Sequence, residues 1–107
     1  MKSLKFESHL ADRILAGKKT ITWRVNDDKN LSCWDEIILI RRPELIQFGK
    51  AKILWAKETT FGVLTEEDCE GHEKFASEEE MYKTYSNYFK MEVKPETKLK
   101  VVKFKLI

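Results

Sequence analysis

Residues 16–24 read AGKKTITWR: two lysines after a glycine, then threonines alternating with isoleucine and tryptophan, closed by arginine. Upstream, Leu10, Ala11, Ile14 and Leu15 fall at helical spacing and predict a helix opening at Ser8 or His9. Gly17 stands where that helix needs a left-handed stop. Lys18 and Lys19 then follow its negative end, where cations are favoured. Residues 20–25 alternate, with Ile21, Trp23 and Val25 facing one way and Thr20, Thr22 and Arg24 the other. Strict alternation from residue 19 puts Lys19 and Thr22 on opposite faces. They share a site only if Lys19 belongs to the turn and the strand begins later. A solvated hairpin accounts for this density of cation and hydroxyl, and so does a site for an anionic or nucleotide-like ligand.

Further outward, residues 3–6 read as a short strand, and residues 26–30 (NDDKN) as a polar loop. Residues 35–42 contain Ile37-Ile38-Leu39-Ile40, apolar on both faces, which predicts a central strand ended by Pro43. Residues 48–60 form a long strand candidate with Ala51, Ile53 and Trp55 in register. Residues 65–68 start an acidic turn or short helix. Ser77 and Glu80 form a capping box before a helix with a stripe of Met81, Tyr82, Tyr85, Tyr88 and Phe89. In the last strand, residues 98–107, the apolar period slips at Val101/Val102, which predicts a bulge there. Five strands with inserted helices give an α+β fold, a small curled sheet or partial barrel.

A chain of 107 residues accommodates one domain, spanning 1–107, around a single core. Charged residues make up 36% of it, against about 25% in ordinary soluble domains, and glutamine occurs once. That bias is thermophile-like. The net charge is only +2, but residues 1–24 and 90–105 each carry +4 while residues 66–80 carry −7. A basic face able to meet phosphates is therefore expected. There is no signal-like apolar segment and no run near the roughly 18 residues of a membrane span. Cys33 and Cys69 form no disulfide-like pattern. A cytoplasmic protein with reduced thiols and no membrane association is the expectation.

Cys69 and His72 have ligand-like spacing, but no finger or ribbon pattern completes them, so no metal and no cofactor are assigned. Trp23 and Trp55 share their faces with aliphatics and read as core. Trp34 follows polar loop residues and is the tryptophan expected at the surface, where it can stack on a base. The tyrosine stripe reads as core. The acid run 66–80 serves as a solvated face, unless one of its carboxylates meets the lysines of 18–19. A lysine beside a carboxylate and a hydroxyl is a catalytic arrangement.

The stretch Ile14-Leu15-Ala16-Gly17-Lys18-Lys19-Thr20-Ile21-Thr22-x-Arg24 resembles the signature of the ASCH domain, a family with the PUA-like fold. Asp35-x-Ile37 resembles its Gly-Asp strand entry, and residues 61–71 (FGVLTEEDCEG) its second signature. The sequence departs from the family at Trp34, where glycine is common. The resemblance implies a PUA-like pseudobarrel, a cleft between barrel and helix, and RNA-related roles. Lys18, Thr20, Arg24 and Trp34 are then the residues expected to touch RNA or a small nucleoside ligand. The small ASCH proteins that hydrolyse the acetyl amide of N4-acetylcytidine use a lysine, a threonine and a glutamate. Carried over, these are Lys19, Thr22 and Glu70, with Glu73 as the alternative because the alignment after Asp68 needs an insertion. Binding of RNA or a modified nucleotide is the first expectation and amide hydrolysis the second. A ribonuclease follows third, since His9 and His72 give no clear acid–base pair.

Overall fold

A computed structural model describes residues 2–25 and 29–107. The strands are β1 (Lys2–Glu7), β2 (Ile21–Arg24), β3 (Glu36–Arg42), β4 (Ile46–Thr60) and β5 (Lys98–Leu106). Helix α1 (Ser8–Leu15) follows β1 directly, while a 3-10 turn (Phe61–Val63), α2 (Glu66–Cys69) and α3 (Glu78–Phe89) separate β4 from β5. One five-stranded sheet runs β1-β3-β4-β5-β2, parallel between β1 and β3 and antiparallel elsewhere. The result is the expected α+β architecture, a mixed half-barrel compatible with a PUA-like pseudobarrel. The polar loop expected at 26–30 lies partly outside the described residues.

The sheet curls so far that its two edges meet. Arg24 at the end of β2 donates through Nη2 to the Lys5 carbonyl of β1 at 3.2 Å, and its guanidinium lies 4.6 Å over the Phe6 ring. This contact closes the seam of the half-barrel and limits the exposed edge.

Apolar clusters cover both faces of the sheet. One gathers Leu4, Phe6, Leu10, Ile14, Ile37, Leu39, Ala51, Ile53, Val102 and Phe104. The other gathers Ile21, Trp23, Val25, Phe61, Met81, Tyr85, Val93, Leu99 and Val101. The bulge expected in β5 is therefore absent. Val101 and Val102 are both buried because each side of the strand meets its own core. The irregularity sits in β4, where the register shifts between Ile53 and Trp55. That shift turns Trp55 away from the Ala51/Ile53 face and onto the second cluster. The tyrosine stripe of α3 is only partly core: Tyr85 is buried, Tyr82 half-buried and Tyr88 exposed.

Candidate functional site

Helix α1 ends as its sequence requires. Gly17 adopts φ +76, and the amides of Lys18 and Lys19 both donate to the Arg13 carbonyl, at 2.9 and 3.2 Å. This turn draws Lys19 inward before the strand begins at Ile21, so strand alternation does not dictate where its side chain points. Lys19 is 2% exposed, and its Nζ donates to the Ile21 carbonyl at 2.8 Å and to Glu73 Oε2 at 2.5 Å.

Glu73 reaches that position because the acidic segment is pinned twice. Thr65 and Asp68 cap α2 reciprocally, Asp68 pairs with Lys57 at 2.7 Å, and its carbonyl accepts the Trp23 indole N–H at 2.9 Å. Gly71 then turns at φ +84 and accepts the Thr20 amide at 2.9 Å, so close that a Cβ on it would lie 2.1 Å from Thr20 Oγ1. The next residue, His72, stacks on Trp23 at 3.7 Å. Its Nδ1 faces the Glu73 carbonyl at 2.9 Å and its Nε2 faces the Tyr85 hydroxyl at 2.8 Å. A carbonyl only accepts, so Nδ1 carries the proton and Nε2 accepts from Tyr85.

The electrostatics follow from this burial. Desolvation, opposed by Glu73 and reinforced by Arg24 and Arg13, lowers the Lys19 pKa to about 8. Burial works to raise the Glu73 carboxyl, but the Lys19 ammonium and its hydrogen bond outweigh it and hold the group below its ordinary value. His72 is lowered to about 4, chiefly by burial and then by Lys19, so it is neutral near pH 7. Its part is to hold the Glu73 backbone.

Beside the pair, in the seam between β1 and β2 and under α3, lies a cleft of about 130 Å³. Thr22, Trp23, Arg24, Glu73, Tyr85 and Tyr88 are among its walls, with Lys5 and Arg42 also contributing. Thr22 is 4% exposed. Among the described residues its hydroxyl makes no hydrogen bond to Lys19 or Glu73.

The expected residues thus divide. Thr22 and Arg24 line the seam cleft, whereas Lys19 lies behind it, paired with Glu73, which does line it. Glu70 does not: it is exposed at the C-cap of α2, and Glu73 is the acid that meets Lys19. Thr20 lies against Gly71, bonded to it through its backbone amide, Lys18 is exposed, and neither lines the cleft. Trp34 is exposed, as expected, at 68%, but it sits beside β4 with its amide on the Ile53 carbonyl, away from the cleft. Its φ of +73 shows why glycine suits this turn in the family it resembles. Sequence reasoning missed Tyr85 and Tyr88 as cleft walls, His72 as the support of Glu73, and Arg13 altogether. The i, i+3 spacing of Tyr85 and Tyr88 was the available signal. Among the described residues no group of three or more His, Cys, Asp or Glu could hold a metal ion, and no helix is long and apolar enough to cross a membrane.

No family model and no curated protein matches the sequence. Solved structures do match. The hypothetical protein PH0355 is 24% identical over the full length of both chains, with a TM-score of 0.75. A DUF984 protein of Enterococcus faecalis is 11% identical over 92% of this chain and 70% of its own, with a TM-score of 0.76. The ASCH domain from Lactobacillus crispatus is 15% identical over 90% and 69%, with a TM-score of 0.68. The chain has the fold of solved ASCH domains.

Proposed function

We propose, for a chain with the ASCH-domain fold, that the seam cleft binds a nucleoside-type ligand and hydrolyses an amide on its base, N4-acetylcytidine being the model substrate. The observation that carries this reading is the Lys19–Glu73 pair: a lysine sealed from solvent, with a pKa of about 8, next to a cleft walled by Thr22. A merely structural lysine gains little from such burial, whereas a proton acceptor needs it. The cleft is smaller than the roughly 300–1,000 Å³ of sites that engulf a whole ligand. Its size suits one planar ring, with the remainder of the ligand outside.

In this reading the Lys19 amine, once neutral, turns from the Ile21 carbonyl toward the Thr22 hydroxyl and takes its proton. Thr22 Oγ attacks the acetyl carbon, and the carbonyl oxygen takes the electron pair. Collapse breaks the C–N bond, and Lys19 returns the proton to the departing amino nitrogen, releasing cytidine. Water then attacks the acetyl ester on Thr22 while Lys19 accepts its proton. Collapse breaks the bond to Thr22 Oγ, Lys19 returns the proton to that oxygen, and acetic acid leaves and ionises to acetate. Glu73 orients the amine, and His72 positions Glu73.

Incubation with N4-acetylcytidine is expected to yield cytidine and acetate; unchanged substrate under prolonged incubation overturns the reading. The neutral fraction of Lys19 is roughly a tenth at pH 7 and grows until the pH passes about 8. kcat/KM should therefore rise with pH along a limb bending near 8. A profile flat from pH 6 to 9 excludes Lys19 as the base.

A second reading, binding of RNA without chemistry, draws on Lys5, Arg24 and Arg42 around the cleft. Their phosphate contacts release counterions. Affinity for a cytidine-containing RNA should then fall by tenfold or more between about 50 and 200 mM salt, and a salt-insensitive complex speaks against it.

A further inference from the structure

A second cavity, of about 300 Å³, adjoins the cleft and shares Leu10, Glu73 and Tyr88 with it. Its remaining walls are His9, Arg13, Lys74 and Phe75. Three of these carry or can carry positive charge, and they come from two separate segments, α1 and the loop before α3. The Arg13 Nε is shielded from solvent and has no hydrogen-bond partner among the described residues. Nor does its guanidinium join any ion pair among them. The guanidinium is thus held beside the cavity with no anionic partner of its own among the described residues, and an anion with several oxygens can meet it through a charge-assisted contact. The one acid in the wall, Glu73, does not oppose an anion strongly, because Lys19 neutralises it at 2.5 Å.

We infer that this cavity is a phosphate subsite, so that the ligand of the adjoining cleft is a nucleotide, its base in the seam and its phosphate on Arg13, His9 and Lys74. The inference rests on the base-pocket reading for the identity of the ligand but not for the anion site. The phosphate can come from the end of a mononucleotide or from the diester of an RNA chain. Both present oxygens to the guanidinium fork, and they differ in charge and in what continues beyond.

Calorimetric titration in low salt tests it, with cytidine, cytidine 5′-monophosphate, a cytidylyl-adenosine dinucleotide and inorganic phosphate as probes. The monophosphate should bind about tenfold or more tighter than cytidine. Arg13→Met should abolish that advantage while leaving the affinity for cytidine unchanged. Arg13 is half-buried, so a second variant guards against misfolding. His9→Gln/Lys74→Met, at exposed positions, should narrow the gap with an unaltered Tm. A dinucleotide matching the monophosphate upholds the site with a chain diester as its ligand. One falling to the level of cytidine upholds it with a terminal phosphate. Equal binding of cytidine and its monophosphate overturns the subsite and leaves the base pocket standing. Inorganic phosphate bound by the wild type and not by Arg13→Met, with no nucleoside bound, upholds the subsite and fails the base pocket.

Discussion

Lys19→Arg is expected to lower turnover of N4-acetylcytidine by about 10²–10⁴-fold, the range removed with a general base. Arginine keeps the positive charge and can still pair with Glu73, but a guanidinium does not give up its proton in proteins. Lys19 is almost wholly buried, so the larger head group can also strain the turn. Two controls separate these effects. The Tm of the arginine variant should stay close to that of the wild type. Lys19→Met, which fits the space and leaves Glu73 with no cation, should be as inactive and also less stable, because an unpaired, partly buried carboxylate is left behind. If the cleft only binds, Lys19→Arg should keep most of the ligand affinity. Near wild-type hydrolysis by the arginine variant excludes lysine as the base.

Gly71→Ala should damage the protein more than its position in a surface-facing loop implies, by about 2–4 kcal/mol of stability. Two costs combine. The backbone stands at φ +84, which side-chain-bearing residues rarely adopt, and the new methyl would fall 2.1 Å from Thr20 Oγ1. Thr20 cannot swing aside freely, since it is β-branched and its amide is bonded to the Gly71 carbonyl. Relief therefore separates the acidic loop from the 18–21 turn and carries Glu73, two residues on, away from Lys19. Activity should fall along with stability. Urea denaturation checks the first and the N4-acetylcytidine assay the second. A loss below about 0.5 kcal/mol would show that the close approach is not maintained in solution.

Much of the fold was legible because it is encoded locally. The apolar spacing of Leu10, Ala11 and Ile14, the left-handed stop at Gly17 and the alternation through Ile21 and Trp23 each act over a few residues, and each recurs in the structure. The same holds for Ser77, whose side chain caps the helix that follows it. Trp55 and the Val101/Val102 pair were misread for the opposite reason. Alternation assumes one buried face, and here both faces are covered and β4 shifts register, so the period no longer reports which way a residue points.

The AGKKTITWR stretch by itself determined a helix stop, a turn holding Lys19 and a strand bearing Thr22 and Arg24, because Gly17 and the alternating residues leave the backbone few other choices. Only the tertiary structure decided which acid answers Lys19. Glu70 and Glu73 are equivalent as sequence, and the choice is made by Gly71 lying against Thr20, a contact across 51 positions of chain. Tertiary structure likewise put the exposed Trp34 away from the cleft, joined the sheet edges through Arg24, and set Arg13 into a cavity with Lys74. Such pairings depend on how the sheet curls and where its loops dock, and no periodicity within a single segment records that.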